Sequence, residues 1–345
     1  MARISNWHLP DEAYGALLPY IRDDNVTDIN YNGRDIWVDD VTRGRYLADL
    51  TINKEFEKQF VMRIKNAVSA NFNPQDNILE AETEDLRVSV IHESVAHTGT
   101  AISIRKTPPI QRLTDERMAK EGYCSKEIIN FLKNCIAAHC NVVVCGLTGS
   151  GKTELLKWLT RSIPAHERVI TIEDNLEIHY RAINPGKDCV ELKVHEELFS
   201  YTKAIKACLR QFPQWILLSE ARSVEVKHLL EAFSTGHHGL TTMHTDDVRH
   251  IPDRIENMMQ DALAAARMEN DIYNFINVGV LISKKTKEDG TIHRCISQIC
   301  LFNRESQNNE IQMLVDDGII LKRAIPGSFY RKFFRAKIQD PFSAC

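Results

Sequence analysis

Between Gly146 and Thr153 the chain reads GLTGSGKT, the G-x-x-x-x-G-K-T spacing of a loop whose backbone N–H groups close around phosphate. Gly146, Gly149 and Gly151 allow the tight turns and the close backbone approach, and the loop opens a helix whose positive end attracts anions. Lys152 is the point charge for the β- and γ-phosphates. The Thr153 hydroxyl suits Mg²⁺, which dehydrates reluctantly and takes few protein ligands. The nucleotide-binding set read from this stretch is Gly146, Thr148, Gly149, Ser150, Gly151, Lys152, Thr153 and Glu154, with ATP and Mg²⁺ as the expected ligands.

Further chemistry stands at the ends of apolar runs. Glu173 and Asp174 close RVITIED, Glu220 closes WILLSE and His244 closes GLTTMH. In doubly wound sheets ligands lie outside the carboxyl ends of the strands, so these groups are expected to converge on Lys152. Glu220 has the position of a carboxylate that holds the Mg²⁺ shell, because the residue before it, where an aspartate is usual, is Ser219. Glu173 is the second carboxylate, able to orient or deprotonate an attacking water. Residue types alone leave open which of the two does which job. His237, His238 and His244 invite a zinc reading but lack recognised ligand spacing, so TGHHG is read as a turn that presents a ring to phosphate and His244 as a γ-phosphate sensor.

The elements that must position these groups fall into two domains, as 345 residues exceed one ordinary core. Residues 1–107 read as a mixed α+β domain. It has a helix from Glu12 to Ile21, two strands meeting at Asn32-Gly33, a helix from Lys54 to Ala70, and alternating strands at Leu86–Ser94 and Thr100–Lys106. Thr107-Pro108-Pro109 starts a linker over 108–122, and 123–345 alternates helices and strands as a parallel α/β sheet closed by a hairpin across Asp289-Gly290. A helical stretch is expected from Val248 to Arg267, and the basic aromatic run FYRKFFRAK, which could touch anionic lipid or close the domain, is expected to close it.

A net charge of −4 weighs against nucleic acid as a direct ligand. Nine scattered cysteines without C-x-x-C pairs read as small buried hydrophobes of a reducing cytosol. The first residues, MARISNWHLP, lack a secretory pattern, and no apolar run reaches membrane-spanning length, so a cytoplasmic protein is expected.

GLTGSGKTELL, TIEDNLEI, LRQFPQWILLSEARS and STGHHGLTTMHTDD, in this order, resemble the Walker A, Asp box, Walker B and His box of the secretion ATPase superfamily. Those are motors of type II and type IV secretion, conjugation and type IV pili. The resemblance spans Glu12 to Phe302, and its closing hairpin is most like the conjugation and type IV secretion branch. It implies a RecA-like P-loop domain behind a smaller PAS-like α+β domain. It also implies a homo-hexamer that hydrolyses ATP to power type IV secretion, conjugative transfer or pilus assembly. Such a motor works peripherally at the cytoplasmic face of the inner membrane, with platform proteins and companion ATPases. Arg105, in SIRK, matches an arginine that carries the first domain to the nucleotide, and Arg87 the strand before it. Arg210 and Arg222 match arginines that sense phosphate within or across subunits. A pilus assembly or retraction ATPase and a nucleic-acid-translocating ring ATPase are the alternatives.

Overall fold

The computed structural model describes residues 8–195, 197–259, 262–288 and 290–344, with 262–267 as backbone only. The chain divides into two compact units, Met1–Pro108 with Thr286–His293 and Pro109–Lys285 with Arg294–Cys345.

The first unit is built on an antiparallel sheet. Its strands β1 (Val26–Tyr31), β2 (Ile36–Asp40), β3 (Gly44–Leu47), β4 (Ile78–Glu82), β5 (Leu86–Ile91) and β6 (Ala101–Lys106) lie in the order β3-β2-β1-β6-β5-β4. Period-two alternation buries Ile29, Val88, Val90, Ile102 and Ile104 against Phe60 and Ile64 of helix Lys54–Ala67. The opposite face is polar: Asp28 stands across from Arg105, and Arg105 across from Arg87. The hairpin tip Thr286–His293 groups with this unit, where Ile292 N–H donates to the Thr42 carbonyl. Asp289 of the expected turn lies outside the described residues, as do Met1–Trp7 of the expected N-terminal pattern. The helix expected from Glu12 to Ile21 is two α segments, Asp11–Tyr14 and Leu18–Arg22, with a 3-10 turn between them. Gly15 interrupts it at φ +48.

The second unit carries β7 (Val142–Cys145), β8 (Val169–Glu173), β9 (Cys189–Lys193), β10 (Trp215–Leu218), β11 (His238–Met243), β12 (Val278–Thr286), β13 (Ile292–Glu305), β14 (Asn308–Asp316) and β15 (Ile319–Ile320). Their order is β15-β14-β13-β12-β7-β11-β10-β8-β9, parallel from β12 to β9 and antiparallel from β13 to β15. This is the α/β, RecA-like arrangement expected of the domain. β7 is buried on both sides because helices cover both: Val142 and Val144 enter one core, Val143 and Cys145 the other. The stretch expected as one helix from Val248 is a 3-10 turn, helix Ile251–Asn257 and helix Ala262–Phe275, and residues 260–261 between them lie outside the described residues.

The tail is more ordered than its weak alternation implies. After β14 and β15 comes helix Gly327–Arg335, whose Phe329 and Phe333 sit among Phe131, Leu132 and Phe342. Removing the Phe333 ring would leave a cavity that a sheet-backed core closes poorly. Phe333→Ala is expected to lower the stability of the second unit by about 3–5 kcal/mol, measured by urea unfolding. A loss under about 1 kcal/mol would mean that the tail is not part of this core.

Candidate functional site: a phosphate loop at converging strand ends

The loop leaves β7 at Cys145 and turns at Gly146. A Cβ there would lie 2.4 Å from Ser150 Oγ and 2.8 Å from the Ile282 carbonyl oxygen, so no side chain fits. Gly151, at φ +98, starts helix Lys152–Thr160 from a left-handed position that β-carbon sterics disfavour. Inside this cradle Ser150 Oγ is buried without a hydrogen-bond partner among the described residues. The Lys152 ammonium folds back onto the loop's own carbonyls, 3.1 Å from Gly146 O and 3.3 Å from Leu147 O. A concave ring of backbone with an unsatisfied hydroxyl and a cation resting on its rim suits a polyphosphate.

Parallel pairing carries the remaining groups to the same edge. β11 lies between β7 and β10, so the residues just past their carboxyl ends are neighbours. His244 has both ring nitrogens 3.4 Å from Lys152 Nζ, and its Nε2 is 3.0 Å from Glu220 Oε1. Burial and then the Lys152 charge hold the His244 pKa below the ordinary imidazole value, which favours the neutral ring at pH 7. Arg222 spans Glu220 at 2.7 Å and Asp174 at 2.8 Å; the Glu220 hydrogen bond chiefly raises its pKa. Asp174 N–H donates to the Tyr201 hydroxyl, which lies 3.5 Å from Ser219 Oγ. Burial lowers the Lys152 pKa, and Glu220 opposes that shift.

Glu173 is fully buried. Its Oε2 accepts from the N–H groups of Glu177 and Ile178, at 2.9 and 3.0 Å, and thereby folds the loop after β8. Its Oε1 is buried without a hydrogen-bond partner among the described residues, and burial raises the Glu173 pKa to about 7 despite those two hydrogen bonds. The carboxylate that reaches the loop hydroxyl is Glu177, which accepts from Thr153 Oγ1 at 3.2 Å. Sequence reading quoted Glu177 inside TIEDNLEI without giving it a role.

Two other groups were missed because nothing local marks them. Arg294, on β13, donates from Nε and Nη2 to the Gly149 carbonyl at 3.4 and 3.3 Å. Arg112, from the expected linker, pairs with Glu154 at 3.1 Å, and Lys157 approaches Glu154 at 3.6 Å. Thr148 lies in the turn between Leu147 and Gly149.

Two expectations need correction. The TGHHG turn lies at the amino end of β11, on the rim opposite His244, because parallel strands place strand starts away from the loop. There the His238 ring lies tilted, 4.5 Å from His139 and 5.6 Å from Trp215 between centroids, and burial lowers its pKa to about 4, so this turn presents no ring to phosphate. Arg210 is exposed on that same rim, before β10, which removes the option of sensing phosphate within its own subunit. Arg105 and Arg87 lie in the first unit on the polar sheet face, where Asp28 accepts from Arg105 Nε at 2.9 Å.

The raised Glu173 pKa gives a signed pH dependence. Burial favours the protonated form, so its contribution to stability is complete below pH 4.5, the value for the unfolded chain, and is lost as pH rises to about 7. Glu173→Gln is expected to flatten the fall in stability of the second unit across that window, about 3 kcal/mol by urea unfolding at several pH values. A pH profile equal to wild type would contradict the assignment. Arg294→Ala, by freeing the Gly149 carbonyl, is expected to weaken nucleotide binding about ten-fold in calorimetric titration while Arg294→Lys recovers part of it. Unchanged affinity in both would detach Arg294 from the loop.

The type II/IV secretion system protein family matches residues 38–310. An uncharacterized protein of Bacillus anthracis is 28% identical over 264 residues, covering 75% of this chain; the chain spans only 59% of that relative's length. The type IV secretion system protein VirB11 of Bartonella quintana is 29% identical over 162 residues, 45% of this chain and 44% of VirB11. Among solved structures, the Yersinia pseudotuberculosis ATPase DotB superposes with a TM-score of 0.65 at 17% identity, covering 87% of this chain and 81% of DotB, which shows a shared fold. With a family match over most of the chain and a phosphate loop faced by a strand-end carboxylate and histidine, this chain belongs to the type II/IV secretion system protein family.

Proposed function

We propose that the chain is a hexameric ATP-driven motor of type IV secretion or conjugative transfer, working peripherally at the cytoplasmic face of the inner membrane beside platform proteins and companion ATPases. The observation that carries the reading is the line Lys152, His244, Glu220 and Arg222, linked by separations of 3.4, 3.0 and 2.7 Å along one sheet edge. Cation, neutral donor and carboxylate stand in the order that phosphoryl transfer to water needs. A pilus motor is the second reading, and the relative named for type IV secretion favours that system over it.

In this reading the loop from Gly146 to Thr153 holds the phosphates through its N–H groups, and Lys152 leaves its two carbonyl contacts to neutralise the β- and γ-oxygens. Thr153 and Glu220 would hold Mg²⁺, directly or through water, and the ion would supply neutralisation of phosphate charge. Binding it requires Thr153 to give up Glu177, and Glu220 to loosen its hold on Arg222 and His244. The raised pKa and unpartnered oxygen of Glu173 suit it to hold the proton that the attacking water loses. His244 then donates toward the γ-phosphate, and Arg222 follows the charge. Arg105 and Arg87 of the first unit, and Arg210 from a neighbouring subunit, are the remaining phosphate-reading cations.

Solution mass with and without a non-hydrolysable ATP analogue tests the assembly. A six-subunit species that the analogue stabilises is expected, and a monomer in both conditions would overturn the ring. Arg105→Ala is expected to lower turnover about ten-fold or more while analogue binding at the loop persists; unchanged turnover would remove the first unit from the reaction.

A further inference from the structure

Helix Gly327–Arg335 has two faces of different chemistry. Inward, Phe329 and Phe333 are each 1% exposed, Ser328 Oγ donates to Asn303 Oδ1 at 2.6 Å, and Lys332 Nζ donates to the His139 carbonyl at 3.0 Å, so the helix is pinned. Outward, Tyr330 is 56% and Phe334 84% exposed, and their spacing of four residues stacks them on one face. Arg331 and Arg335 lie beside them on the helix and Lys337 just past its end, all exposed. Among the described residues none of these three cations has an ion-pair partner, although the chain as a whole carries a net charge of −4. Two outward rings beside three cations without an ion-pair partner among the described residues form an exposed basic and aromatic face.

We propose that this face binds an anionic phospholipid surface. Phe334 enters the boundary between headgroups and acyl chains, and the Tyr330 ring lies at headgroup level with its hydroxyl wet. Arg331, Arg335 and Lys337 engage lipid phosphates around them. Single-stranded nucleic acid offers phosphates and stacking bases, but sites for it are grooves that track a backbone. The surface here is the outer ridge of a nine-residue helix, about 13 Å long, which suits shallow insertion into a planar interface. This inference deepens the membrane-facing part of the proposed function and rests on it; the catalytic residues take no part.

Flotation of the full chain with phosphatidylcholine vesicles, with and without about a third of phosphatidylglycerol, tests it. Wild type is expected to float with the anionic vesicles only, and less so as salt rises. The Tyr330→Ser/Phe334→Ser double variant, and separately Arg331→Glu/Arg335→Glu, are expected to weaken flotation about ten-fold or more at unchanged ATP turnover and solution mass. Equal flotation on both vesicle types, none on either, or variants that float like wild type would overturn the proposal. So would loss of assembly in the variants, which would assign the face to a second copy, or oligonucleotide binding that the variants abolish while vesicle binding persists. Vesicle binding that responds to the variants in a protein without ATP turnover would support this face while defeating the motor reading.

Discussion

A lysine only 9% exposed cannot stand in a protein without negative charge or oxygen lone pairs close to its ammonium, and the second unit is arranged to give Lys152 both. Two loop carbonyls hold it from below and the His244 ring faces it from the side, with Glu220 behind the ring. Each of these partners is one that a bound polyphosphate can displace or join. The Lys152 ammonium is therefore satisfied by its own loop, and charged phosphate oxygens would offset the cost of taking it off those carbonyls.

That arrangement depends on strand order more than on any single contact. With β11 inserted between β7 and β10, a histidine ending one strand and a glutamate ending the next fall on the Lys152 side of the same edge. The β-branched, doubly buried β7 makes the edge rigid, since its alternate side chains are locked into two separate cores. Arg222 and Asp174 then tie the β10 and β8 ends to each other. A change in the charge at Lys152 is thus felt through His244 and Glu220 by Arg222, a continuous chain of polar partners that could carry the state of the γ-phosphate to the loop after β8.

Much of this was legible in the sequence because it is local. The glycine spacing of the loop, the apolar runs ending in Glu173, Glu220 and His244, and the Asn32-Gly33 turn all lie within a few residues of the features they specify. Arg294, by contrast, reaches Gly149 from 145 positions away, and nothing in HRCIS announces it. Glu177 was visible as a residue but not as the partner of Thr153, since the turn that aims it is made by the buried Glu173 carboxylate. His237 and His238 were misread because a run of histidines draws attention to composition. Which rim of the sheet they occupy follows from strand direction, and the amino end of β11 packs against Trp215 and His139. The short β3, β4 and β15 strands escaped because two to five residues of weak alternation cannot outweigh turn signals until a sheet edge is there to pair with them.

The central claim is that the loop around Lys152 hydrolyses ATP. Phosphate release by the purified chain and by Lys152→Ala, with circular dichroism and solution mass shown to match, tests it most directly. The account requires loss of turnover by a factor of about a hundred or more in the folded, assembled variant. Turnover at the wild-type rate in that variant would contradict it.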